Sequence, residues 1–228
     1  MKKIINNVLL LIGLFTLFCF TSCVSKNVTI KQNDKVISIT DLKNGDLIFI
    51  RSREENLSGA INRVTQISKQ RNYDHVGLVE KNYDSIFILH SAPEGGSQRE
   101  SIRTLYLSAT QNKRYIDVYR LKNEFSYSIP DAIINAKLMV GKPYNWTYIL
   151  NNESFYCSDF IERAFRGNSI FQHIPMNFTN INTGQFDSFW IEFYQKLNLE
   201  IPQNQPGTNP NQLAESEKIV QIGTLYIN

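Results

Sequence analysis

Side chains able to attack a carbonyl or move a proton near neutral pH are scarce in this chain: three cysteines and three histidines. Cys19 and Cys23 fall within the first 23 residues. Cys157, in Tyr156-Cys157-Ser158-Asp159-Phe160, is the one thiol in the body of the sequence. In an exported chain a single thiol closes no intramolecular disulfide, which leaves it as buried filler or as a reactive sulfur. A helix N-terminus and a nearby imidazole both activate a thiol. Residues 154–165 read as a helix with Cys157 in its first turns and with Phe160, Ile161, Ala164 and Phe165 on its apolar face. The helix dipole supplies about 0.3–1 kcal/mol, or roughly 2 where partly buried. One pKa unit costs about 1.4 kcal/mol, so a histidine partner is required.

His75 opens one expected strand and His90 closes the next. Centring the intervening turn between Asn82 and Tyr83 pairs 75 with 90 and sets the two imidazoles side by side, with Cβ atoms about 5 Å apart. One ring could then act as base while the other orients it. His173, in Phe171-Gln172-His173-Ile174-Pro175, has no partner motif and reads as structural or surface. Asp74 and Asp159 read as caps or solvated charges. No Cys/His cluster has metal-ligand spacing, and no cofactor is expected.

The elements that must position these residues follow from pattern and punctuation. Leu42-Lys43-Asn44-Gly45-Asp46 is a turn delivering the strand Leu47-Ile48-Phe49-Ile50, with Gly45 suited to positive φ. Residues 58–69 carry Ala60, Ile61, Val64 and Ile67 at helical spacing. Strands follow at 75–79, 85–90 and 115–120, with a hairpin turn at Asn82-Tyr83-Asp84 and a loop from Ser91 to Gly96. A helix starts near Pro130 and Asp131 and stops at Gly141 and Pro143. The proline-rich stretch 201–212 reads as an extended surface loop, and the Phe178, Phe186, Phe189, Trp190, Phe193 group as core, with Trp190 able to border a groove. Strands followed by returning helices imply an α+β fold with a mostly antiparallel sheet.

The N-terminus reads as an export signal. Lys2 and Lys3 precede an apolar run from Val8 to Phe20 that is shorter than the roughly 20 residues needed to span a bilayer. Thr21-Ser22-Cys23 resembles a bacterial lipobox. That resemblance implies cleavage before Cys23 and diacylglycerol on its sulfur. The expected organisation is a signal peptide over 1–22, a tether over 23–37 and one domain over 38–228, lipid-anchored in the cell envelope, with the outer membrane as the expected membrane. Removing residues 1–22 leaves 206 residues carrying 22 basic against 21 acidic side chains. So balanced a chain, without a basic run, offers no field for nucleic acid.

Four motifs taken in order resemble one family. Leu42-Lys43-Asn44-Gly45-Asp46-Leu47-Ile48, Asp74-His75-Val76-Gly77-Leu78-Val79, Gly141-Lys142-Pro143-Tyr144 and Tyr156-Cys157-Ser158-Asp159-Phe160 together look like the circularly permuted papain-like hydrolases of the NlpC type, YiiX/YebB-like branch. In that branch the histidine strand precedes the cysteine helix. The late Pro206-Gly207-Thr208-Asn209-Pro210 run fits as well. The resemblance covers roughly residues 39–213 and implies Cys157 as nucleophile, His75 as general base, His90 at the third polar position and Tyr144 as a wall that helps polarise the substrate carbonyl. Tyr156 and Asp159 depart from the Asp and Gly usual at those positions in ordinary NlpC-type enzymes. The implied activity is hydrolysis of an amide in peptide or cell-wall material through an acyl-enzyme. Acyl transfer or deacylation of a lipid or other acylated small substrate, and a non-catalytic ligand-binding module, remain open alternatives.

Overall fold

The computed structural model describes residues 35–67 and 72–227. In chain order the elements are β1 (Val36–Ser38), β2 (Leu47–Arg51), α1 (Asn56–Thr65), β3 (Tyr73–Asn82), β4 (Ser85–Ala92), β5 (Gly96–Ser101), α2 (Ile102–Gln111) and β6 (Ile116–Leu121). There follow α3 (Ile129–Met139), α4 (Cys157–Phe165), β7 (Ile174–Pro175), α5 (Ser188–Leu197), β8 (Pro206–Gly207), α6 (Pro210–Ala214) and β9 (Ile219–Tyr226). Seven strands form one sheet in the order β1-β9-β6-β2-β3-β4-β5, antiparallel except for the β1–β9 pair. β7 and β8 make a separate two-residue ladder.

Alternation along the central strands builds two cores. Leu47, Phe49, Val76, Leu78 and Leu89 face α3 and α4, meeting Ala132, Ala136, Phe160, Ile161 and Phe165. Ile48, Ile50, Val79, Ile86, Ile88 and Val118 face the other way, under Ile102, Leu105 and Ala109 of α2. A third cluster is aromatic: Tyr144, Tyr148, Tyr156, Phe178, Trp190 and Tyr194 gather on Ala60 and Val64 of α1. Trp190 is therefore core, as its neighbours in sequence suggested. Gly45 has φ +85°, the left-handed turn expected of it, and α3 ends with Gly141 at φ +92°, the usual glycine stop.

Several expected boundaries shift. Helix α4 starts at Cys157 rather than at Ser154. Ser91 and Ala92 extend β4, and Gly96 begins β5, so only residues 93–95 turn. The stretch 201–212 includes β8 and the start of α6. Val36 and Ile37, expected at the end of a tether, pair with Thr224 and Leu225 of β9. The signal peptide, Cys23 and the rest of the tether lie outside the described residues.

Candidate active site

The hairpin register differs from the one expected. Asn82 faces Ser85 and Leu78 faces Leu89, so His75 and His90 are not directly opposed. Continuing that register sets Gly77 across from His90, and a Cβ at position 77 would lie 3.3 Å from the His90 Cβ. Lacking a side chain there, β3 leaves room for the His90 ring to lean diagonally towards residue 75. The two imidazoles meet all the same: His75 Nε2 and His90 Nδ1 are 2.7 Å apart. His90 is buried, and His75 is partly open to the cleft.

A bulge sets up the other half of the site. Ile50 pairs with His75 but Arg51 pairs with Tyr73, which leaves Asp74 as an extra residue on β3. Such an insertion re-aims the side chains around it. Tyr73 consequently packs on the α4 face and hydrogen-bonds Asp117 at 2.8 Å. The carbonyl oxygen of Asp74 receives the Cys157 thiol at 3.8 Å. The sulfur thus lies against the peptide units on either side of His75, with its hydrogen bond going to backbone rather than to the imidazole.

Asp74 and Asp159 are not solvated. The Asp74 carboxylate is buried and ion-paired with Arg114. Burial still raises its pKa, while Arg114 opposes the shift. Asp159 is fully buried, paired with Arg163 at 2.8 Å, and burial pushes its carboxyl up to about 6. His173 bridges to Glu162 at 3.2 Å, in keeping with a structural role. Asp159, Glu162 and His173 bring ligand atoms within 4.8 Å of one another, the one such group among the described residues. Arg163 and Arg166 already bind its two carboxylates, so two guanidinium charges stand where a cation would need to come.

Helix α4 opens on Tyr156, in extended conformation and with no side-chain cap. The Tyr156 hydroxyl instead accepts the backbone N–H of Thr208 at 3.1 Å, which ties the late Pro206–Pro210 run to the cysteine segment. The first-turn N–H groups of α4 have no partner within the helix, and the N–H of Val76, followed by those of Ser158 and Cys157, favours the thiolate. Burial outweighs them, with the Asp74 charge adding to it, and the thiol is pushed up to about 12. Burial also holds His75 well below the usual imidazole range, reinforced by His90 and Arg114. Burial thus favours the neutral form of both the thiol and the imidazole, against the activated, low-pKa thiol that the sequence suggests.

A cleft of about 610 Å³ reaches the imidazoles. Its walls include Arg53, Asp74, Gln98, Glu100, Arg114 and Tyr144. Cys157 borders a separate apolar hollow of about 40 Å³ with Tyr148, Tyr156 and Trp190. Tyr144 and Ile61 line both. The Tyr144 hydroxyl is 3.4 Å from that of Tyr148, and burial drives its pKa far above the phenol range, so it remains a proton donor. Glu100, which the sequence reading did not single out, places Oε2 3.3 Å from His90 Nε2.

No curated protein matches this chain. The crystal structure of the metalloprotein yiiX from Escherichia coli O157:H7 superposes with a TM-score of 0.65 at 16% identity, covering 80% of this chain and 97% of that one. A likeness at that identity speaks for the fold, and it agrees with the α+β arrangement of one large sheet between helices. The model of the family described as permuted papain-like amidase enzymes, YaeF/YiiX, C92 family, matches residues 41–223. The match covers most of the chain, and the chain belongs to that family of cysteine-dependent amidases.

Proposed function

We propose that the protein is a cell-envelope thiol hydrolase that cleaves an amide bond in a peptide or cell-wall peptide. Cys157 is the nucleophile, His75 the base, His90 its orienting partner and Tyr144 a donor to the carbonyl oxygen. The observation that carries this reading is the 2.7 Å His75–His90 contact on the same strand segment whose backbone holds the Cys157 thiol.

The chemistry runs from a neutral pair. As sulfur attacks the amide carbonyl, its proton passes to His75, and a C–S bond forms while the carbonyl oxygen takes up the charge. The Cys157 N–H at the start of α4 and the Tyr144 hydroxyl are the donors for that oxygen, each worth about 3–4 kcal/mol in such sites. The C–N bond then breaks, the amine leaves with the proton from His75, and a thioester remains. Water, deprotonated by His75, hydrolyses the thioester to a carboxylate and restores the thiol.

The polar walls of the cleft favour an amide of a polar chain over a lipid acyl group. The larger cleft carries charged and amide side chains on its walls. Lipid attachment through Cys23 is part of the proposal and rests on the Thr21-Ser22-Cys23 sequence. Purified protein incubated with a mixture of cell-wall stem peptides should release new amino termini, and Cys157→Ala should release none. Equal release by the variant, or none by either protein, would remove the amidase reading.

A further inference from the structure

Three adjacent strands place polar residues on the sheet face covered by α2, with Gln98 as well as Glu100 on β5. His75 comes from β3 and His90 from β4. On β5, the register His90↔Gln98 and Ile88↔Glu100 puts Glu100 two residues along from the position facing His90, on the same face. The same diagonal step links His90 to His75 on its other side. The outcome is a line of side chains, His75 Nε2 to His90 Nδ1 at 2.7 Å and His90 Nε2 to Glu100 Oε2 at 3.3 Å. The second contact is within ion-pair distance, although its angle falls short of a regular hydrogen bond and leaves His90 Nε2 with no other partner. His90 is 1% exposed and the nearby wall is apolar, with Leu105 and Ala109 of α2. A buried ring N–H needs an acceptor, and the Glu100 carboxylate is the group in reach.

We propose that Glu100 is a positioning residue for the proton relay: it holds His90 in the tautomer with hydrogen on Nε2, so that His90 Nδ1 accepts the Nε2–H of His75 and the His75 Nδ1 lone pair is left as the base. The carboxylate determines which nitrogen of a ring one strand away can take a proton, as an orienting acid does in other nucleophile–base sites. The reverse tautomer of His90 would donate from Nδ1 to His75 Nε2, put the His75 hydrogen on Nδ1 and leave no base for sulfur. On the far flank of His75 the charged groups are Asp74 and Arg114, which pair with each other.

This inference rests on the Cys157–His75 reading, and its test separates the two. Nitrogen-15 spectra of the histidine side chains in the full chain report each tautomer without any substrate. The wild type should show hydrogen on Nε2 of both His75 and His90. Glu100→Gln, whose amide oxygen still accepts, should keep this pattern, and Glu100→Ala should give mixed tautomers. Acylation by p-nitrophenyl acetate should fall about tenfold to hundredfold in Glu100→Ala, the range seen when a carboxylate orienting a metal-bound histidine is lost, and less in Glu100→Gln. Hydrogen on His90 Nδ1 in the wild type, or tautomers unchanged in Glu100→Ala, would overturn the proposal. Absence of acylation in every protein would count against the amidase reading alone, while the spectra still decide the role of Glu100.

Discussion

His75 and His90 meet edge to face, with ring centroids 5.0 Å apart and planes at 83°, although neither residue sits directly opposite the other in the hairpin. The contact is diagonal, and glycine at position 77 makes it possible. A methyl group there would press on Ile88 and approach the His90 Cβ.

Gly77→Ala should therefore damage both stability and catalysis. Overpacking of this kind costs about 1–3 kcal/mol, readable as a lower urea midpoint. Turnover in the folded fraction should fall as well, because the displaced His90 loses its contact with His75. A variant that is destabilised yet fully active per folded molecule would show that the histidine contact is dispensable.

Burial of the thiol gives a prediction opposite to that for an ion-paired cysteine. With the Cys157 pKa pushed up to about 12, iodoacetamide at pH 7 should label it more slowly than a free peptide thiol. The labelling rate should still be climbing above pH 9, where the free thiol levels off. Fast labelling at pH 7 with a plateau below neutrality would mean that the resting site is a thiolate.

His75 should make the fold sensitive to acid. The unfolded chain protonates this residue below about 6.5, whereas the folded protein resists protonation because its pKa is lowered. The unfolded state then binds more protons, and stability declines as pH falls from about 6.5. Asp159 acts in the opposite sense: its folded pKa of about 6, against 3.8 unfolded, favours the folded state as pH drops through that window. Comparing His75→Gln with wild type isolates the histidine, and the variant should lose less stability between pH 7 and 5. Parallel curves would show that His75 carries no such linkage.

Tyr144→Phe keeps the ring in the wall of both cavities and removes the hydroxyl. If that hydroxyl meets the developing oxyanion, kcat should fall by about two orders of magnitude with KM little changed. A change in KM alone would make Tyr144 a wall and no more.

Much of this site was legible in the sequence because its signals are local. The motif around Cys157 marks a helix start, and His75 and His90 bracket a hairpin whose apolar alternation is plain. Apolar alternation alone places the register two residues off, because the turn occupies Tyr83 and Asp84 rather than centring one residue earlier. Glu100 escaped notice because Gly96–Ser101 reads Gly-Ser-Gln-Arg-Glu-Ser, an edge strand with no apolar alternation. The bulge at Asp74 has no sequence signature, and it sets which face each side chain takes. The sequence pattern starts the Cys157 helix three residues early, because tyrosine is not a usual capping residue. Burial of the thiol depends on Tyr144, Tyr148 and Trp190 converging from distant segments, which spacing along the chain does not encode.

The central claim is that His75 removes the proton from Cys157 during attack. The most direct measurement is the burst of p-nitrophenolate from p-nitrophenyl acetate, read together with the site of acetylation by mass spectrometry. Wild type should give a burst with a single acetyl group on Cys157, and His75→Ala, folded to the same extent, should lose the burst. An equal burst in His75→Ala, or acetylation elsewhere than Cys157, would contradict the account.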